Sequence, residues 1–336
     1  MPRRRTTYAA AVLATLVPLV SGLLVEPPRA AVAAVGATQH RVAVSLTAVS
    51  GRVRLNRHAG ISGTVTDVGT GQPLPRVRVT LQLRSRHGWA TPPGATGLTG
   101  PGGRFAMSAP TYFYGRHSFR VLVSAQTNGR DAVVVPAASP VRSVNVPVPY
   151  PAAGRAGARR LSGSRFDPCT PIPYRINYAG APRNARHLVT VALAKARAAS
   201  GLTFVYAGSY SGVPFSGRHN NGLPARGIGF AWATSRQVSG LASGAVGFGG
   251  GGWAVNDQQI TSGVVIDRTY HFHKGWTGPN SIGGLLLHEL GHALGLEHVK
   301  DRHQVMYPLD VGAPSGNYNR GDISALQRIG LDAGCL

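Results

Sequence analysis

The chain of 336 residues is predicted to fold as an all-β sandwich followed by an α+β domain, and three observations carry that prediction. Between Arg41 and Tyr150, short segments alternate apolar and polar residues with a period of two, separated by turn residues. Beyond Phe166, segments of helical period stand between strand-like runs. Late in that second half, a largely apolar run from Ile282 to Leu287 leads directly into a cluster of histidines. Length alone gives an expectation of two or three compact units.

The first residues read as a leader. Arg3-Arg4-Arg5 is a basic start, 8–25 is a mostly apolar run, and Ala31-Val32-Ala33 is a small-x-small cleavage site. These features describe a secretory signal peptide over 1–33, with an uncleaved anchor as the alternative. No later stretch reaches spanning length, so the mature chain is expected to be exported, either free or associated with the cell envelope, without a membrane span and monomeric.

Strands of period two are expected at 42–46, 61–65, 77–83, 119–123 and 141–146. Gly69-Thr70-Gly71, Gly100-Pro101-Gly102-Gly103 and Asn128-Gly129 supply the turns between them. Strands at this spacing without helical period make a sandwich over 34–146. Gly63-Thr64-Val65-Thr66-Asp67 followed by Gly71-Gln72-Pro73-Leu74-Pro75, with the later Gly102-Gly103-Arg104-Phe105, resembles immunoglobulin-like or transthyretin-like sandwiches beside secreted hydrolases. His40, His58, His87 and His117 are isolated there and are expected on the surface, which leaves the module an accessory role. Residues 147–161, rich in Pro, Ala, Gly and Arg, read as an exposed linker and a site for proteolytic nicking.

The second domain, 162–336, opens with a strand at 172–177. A helix over 184–200 places Leu188, Val191, Ala192, Leu193 and Ala196 at near-helical spacing, and Gly201 stops it. Further strands are expected at 202–206, 227–232 and 263–267, and glycine-dense 244–253 should include an edge strand that an extended peptide could join. Its glycines would leave room for large substrate side chains.

The helix beginning near Asn280 or Ser281 carries His288-Glu289-x-x-His292, and Gly295 and His298 follow. Residues four apart share a helix face, so His288 and His292 can hold one cation. Gly295 can take a positive φ and turn the chain, which returns His298 as a third nitrogen ligand. Three protein ligands with one open position describe a catalytic rather than a structural zinc. Glu289 stands where it can act as general base on a zinc-activated water.

This pattern, with Met306 shortly after it, is similar to the metzincin zinc endopeptidases, and Met306-Tyr307-Pro308 with Gly321-Asp322-Ile323-x-x-Leu326-Gln327 most resembles their matrixin family. The resemblance covers roughly 166–336. It implies an α+β zinc protease domain with a mixed twisted sheet, an active-site helix, a Met-turn and a C-terminal helix. It also implies Met306 as a hydrophobic floor beneath the ligands, with Tyr307 and Pro308 in the wall of a substrate pocket. Asp301 and Asp322 are read as structural, Asp322 as a helix N-cap or first-turn residue. His271, His273 and His303 are read as surface residues. Many matrixins carry a second, structural zinc and Ca2+; their full ligand pattern is not found here, so the reading commits to one Zn2+ and leaves Ca2+ undecided.

Cys169 and Cys335 near the two ends of this region favour one long-loop disulfide in an oxidising compartment. The alternative is a zinc-blocking thiolate at Cys169, as in many matrixin propeptides, but Asp167-Pro168-Cys169-Thr170-Pro171 lacks the rest of that motif.

The net charge of +23 is uneven: residues 34–160 hold sixteen arginines against two acids, and 161–336 hold fifteen basic residues against nine acids. For an exported chain such a surface suggests anionic cell-envelope polymers, lipid headgroups or acidic substrates as partners, with a compositional bias towards arginine as the alternative. Nucleic acid is excluded as a partner, because no recognition motif or interleaved aromatic set accompanies the charge. The resulting expectation is a secreted zinc metalloendopeptidase acting on protein or peptide. A zinc hydrolase of cell-wall peptides, or an envelope-binding protein with a vestigial protease domain, are the alternatives.

Overall fold

Strand alternation sets the first half of the molecule. The computed structural model describes residues 38–48, 51–127, 132–157, 161–217, 222–309 and 315–336. The expected signal peptide and the Asn128-Gly129 turn lie outside the described residues. The main strands are β1 (Thr38–Val44), β2 (Gly60–Asp67), β3 (Arg78–Ser85), β4 (Arg104–Ser108), β5 (Gly115–Val123), β6 (Ala132–Val135) and β7 (Arg142–Val146), with shorter pieces at the edges. In one sheet β1 lies between antiparallel β2 and parallel β6, and β4 pairs beyond β2. In the other, β7, β5 and β3 run antiparallel in that order. Along β5, His117, Phe119, Val121 and Val123 are buried while the residues between them are not. They meet Val79, Leu81 and Leu83 of β3, Val65 of β2 and Phe105 of β4 in one apolar layer.

Two of the histidines expected on the surface of this module are not there. His117 is 3% exposed, its Nε2 bonded to the Phe113 carbonyl at 2.9 Å and its ring 3.8 Å from the Phe113 ring. Burial holds it neutral, with its pKa down at about 4. The cause is register: 117 shares the inward parity of 119, 121 and 123. His40 is half-buried and paired with Asp67.

The second half contains β8 (Ile172–Ile176), α1 (Ala185–Ser200), β9 (Phe204–Ser209), β10 (Gly227–Ala233), β11 (Gly247–Val255), β12 (Gln258–Asp267), α2 (Ile282–Ala293) and α3 (Arg320–Ile329). Its 5-stranded sheet runs β9-β8-β10-β12-β11, parallel except for β11, which pairs antiparallel at the edge. Helix α1 stops where Gly201 takes φ 76° and donates to Arg197 O. Val189, Ala192, Leu193 and Ala196 of α1 then join Leu286, Leu287 and Leu290 of α2, Leu326 of α3 and Ile228, Phe230, Val264 and Ile266 of the sheet in a common core. Among the described residues, no helix is long and apolar enough to cross a membrane.

The halves are not beads on a string: Thr38–Leu336 form one compact unit. Leu331, after α3, packs in the sandwich core, while Tyr114 and Val146 from the sandwich side pack in the other. Tyr114 N–H donates to Ala198 O at 2.8 Å, and Gln327 Nε2 donates to Tyr114 O at 3.1 Å. Arg86 N–H donates to Asp332 O at 2.8 Å. The stretch expected to be an exposed linker is docked as well, over 150–155. Tyr150 OH donates to Tyr318 O, Ala153 N–H to Asn319 Oδ1 and Arg155 N–H to Asp301 Oδ2. Its small residues allow this approach, since a Cβ at Gly154 would overlap the Gln304 amide. Cys169 and Cys335 form a disulfide with Cα atoms 5.3 Å apart, closing a loop across 166 positions. A loop of that length restricts the unfolded chain by roughly 5 kcal/mol in the chain-entropy account.

Candidate metal centre

Helix α2 starts cleanly because the Ser281 hydroxyl accepts the Gly284 N–H. Its apolar residues bury it on the sheet, and that leaves one face, with His288 and His292, turned to a cleft. Past its end Gly295 sits at φ 103°, where a Cβ would crowd the Ser164 carbonyl oxygen, and the reversal carries His298 back to the same point. The three Nε2 atoms lie 3.0 to 3.2 Å apart.

That triangle fits a metal ion. His288 Nδ1 donates to Val305 O at 2.7 Å and His292 Nδ1 to Leu296 O at 2.8 Å. These bonds put the ring protons on Nδ1 and leave the Nε2 lone pairs facing one another. Burial lowers the pKa of His288 to about 4 and lowers those of His292 and His298, which favours the neutral rings. Converging lone pairs repel unless a cation sits among them. Nitrogens at about 2.0–2.1 Å from a tetrahedral Zn2+ stand roughly this far apart.

Glu289 follows the first histidine and is only 6% exposed, its side chain lining the same cleft of about 610 Å³. Burial pushes its carboxyl up to about 8, against the opposing bond from Gly249 N–H. Edge strand β11 runs so close to α2 that a Cβ at Gly249 would overlap the Glu289 carbonyl oxygen, and one at Gly247 would press on the Glu289 side chain. At these two positions, then, glycine serves strand–helix approach rather than room for substrate.

Met306 is 1% exposed and lies under α2, its sulfur filling the space a Cβ at Gly291 would need. Pro308 lines the cleft with Val305 and Leu309, whereas Tyr307, expected beside it, is not among the lining residues. Asp322 is placed in the first turn of α3, in a capping box with Asn319. Its carboxylate also accepts the Val305 and Met306 N–H groups. Burial raises the Asp322 carboxyl to about 6 despite these bonds. Gln304, which sequence reasoning did not single out, is 2% exposed; its Oε1 accepts Gly321 and Asp322 N–H, and its Nε2 reaches Asp301. No sequence pattern marks it, because its partners are backbone groups of a distant helix start. His271, His273 and His303 are exposed, and His303 bonds Asp301.

Residues 215–329 match the family model for matrixins, zinc metallopeptidases. The match contains all three histidines, Glu289 and Met306. No curated protein matches the chain. Solved structures similar to parts of it include the CARDB domain of a Pyrococcus furiosus protein, at 12% identity and TM-score 0.19, covering 32% of this chain and 93% of that one. A C-terminal fragment of intimin matches at 14% identity and TM-score 0.22, covering 39% and 42%. Fibronectin(III)-like modules of Clostridium thermocellum CbhA match at 16% and 0.21, covering 34% and 53%. At such scores the two-sheet architecture rests on its own strand pairing.

Proposed function

We propose that the chain is an exported zinc-dependent endopeptidase in which Glu289 is the catalytic residue. The observation that carries this reading is the convergence of three neutral Nε2 atoms on a cleft that Glu289 also lines. A zinc ion held by His288, His292 and His298 would polarise a peptide carbonyl and acidify a water molecule. A zinc cation beside it would favour the ionised form of the Glu289 carboxyl, which would then take the proton from the attacking water and pass it to the leaving amine. The Val305 and Leu296 carbonyls hold the first two rings in the tautomer that presents Nε2. Among the described residues strand β11 pairs on one side, with β12, and its other edge would offer backbone groups to an extended substrate. The sandwich is an accessory module, and its excess of arginine favours acidic envelope polymers, an attraction that salt should weaken.

The purified full chain is incubated with a peptide mixture, with and without a chelator. Cleavage should stop on chelation and return with Zn2+. Glu289→Ala should retain stoichiometric zinc yet lose on the order of 10²–10⁴ in kcat/KM, whereas His292→Ala should lose the metal itself. Cleavage that survives either chelation or Glu289→Ala rejects the mechanism.

A further inference from the structure

The inward residues of β3 and β5 fix what the other side of their sheet presents. Val79, Leu81 and Leu83 face the core, as do Phe119 and Val121. Arg78 and Arg84 of β3 and Arg116 and Arg120 of β5 therefore stand on the outer face. Register adds Arg52, directly opposite Asn145 of β7, and Trp89, directly opposite Arg84. The guanidinium carbons of Arg120 and Arg84 lie 4.2 and 5.5 Å from the Trp89 ring centroid. Arg120 also donates through Nε to Gln82 Oε1 at 3.0 Å, and Arg116 Nη2 donates to Ser143 Oγ at 3.3 Å. Each bond uses one N–H of a fork that carries several. No carboxylate of the sandwich shares this face among the described residues. Residues 34–160 contain two acids: Asp67 belongs to the other sheet and pairs with His40, and Asp131 lies outside the described residues. Cations held on one face without counter-charges repel one another, and a polyanion lying across them removes that repulsion.

We propose that this face binds an anionic glycan of the cell envelope; the inference deepens, and rests on, the reading of the sandwich as an accessory module attracted to acidic polymers. Four residues along a strand cover about 13 Å and six about 20 Å. The arginines are thus spaced for successive charges of a linear chain rather than for one small anion. Their forks match the oxygens of carboxylate or phosphate groups. Ser118, Ser143 and Asn145, set between them on the same face, suit the hydroxyls of a sugar chain. Single-stranded nucleic acid fits less well, because its bases need open aromatic faces and Trp89 is half-buried and stacked against Arg120.

The probe is polygalacturonate, titrated onto the purified full chain by calorimetry at low ionic strength, with neutral dextran as the blank. Replacing Arg84, Arg116 and Arg120 together by Gln should weaken binding at least about tenfold, the scale of one lost charge-assisted bond, and flatten its salt dependence. Replacing Arg41, Arg104 and Arg226 by Gln removes the same charge from exposed positions on the other sheet and the second half; binding should stay within about twofold. Arg120 is half-buried, so the pair Arg84→Gln and Arg116→Gln, both exposed, is measured as well and should lose at least about threefold with an unchanged melting temperature. Equal losses in the two triple variants overturn the face and leave the general attraction to acidic polymers standing. A parent chain that binds polygalacturonate no better than dextran overturns both. The same variants are titrated with vesicles of phosphatidylcholine and phosphatidylglycerol in equal parts, and with oligodeoxythymidylate. A loss confined to either of these, with polygalacturonate binding unchanged, overturns the glycan as occupant.

Discussion

Single residues decide how tightly the centre is built, and glycine does more of this than the histidine pattern suggests. Gly291 and Gly249 each sit where one added carbon meets another part of the site, the Met306 sulfur and the Glu289 backbone respectively. Gly291→Ala should therefore destabilise the fold by about 1–3 kcal/mol through overpacking and weaken zinc retention, checked by urea titration and metal content. A Gly295→Ala change adds strain at φ 103° and should displace His298 first, seen as weaker zinc binding at little cost in helix content. The convergence of the three histidines and the turn at Gly295 were legible in sequence because their spacing follows from helix geometry. Gln304 and the inward face of His117 were not, since each depends on a partner far away in the chain.

Among elements, the segment from Val305 to Met306 and helix α3 behave as one piece. Asp322 caps the helix and holds both N–H groups of that segment, and Val305 O in turn orients His288. Asp322→Ala leaves those donors buried without partners and should cost at least about 2 kcal/mol. Its zinc affinity should fall with its stability, whereas Asp322→Asn, which keeps one acceptor oxygen, should recover part of both. Most strands and helices were anticipated within a few residues of their bounds, because period two and period 3.6 are local signals. The β1–β6 parallel pairing and the docking of 150–155 were not anticipated. Pro, Ala and Gly describe a segment free of side-chain demands, and that suits a groove as well as a linker.

At the scale of the whole molecule, the shared cores imply one cooperative transition. Calorimetry should give equal calorimetric and van't Hoff enthalpies for 38–336, and Leu331→Ala, at about 2–5 kcal/mol, should lower the melting of the sandwich and of the second half together. Two transitions would show the halves to be independent. Acid should act through His117. Its ordinary pKa is 6.5 and the folded value about 4, so the fold favours the neutral ring. That contribution is whole above pH 6.5 and is lost as pH falls from 6.5 towards 4. Melting temperature should drop across that window in the parent chain and less steeply in His117→Gln. The position of Leu331 in a core begun at residue 38 also sets a timetable. As the chain emerges from a ribosome, the sandwich core lacks Leu331 long after its own strands are complete, and the Cys169–Cys335 bond waits slightly longer. The three converging histidines at 288–298 emerge before either event, so the cleft gains its rigid frame only after the residues that line it have been synthesised.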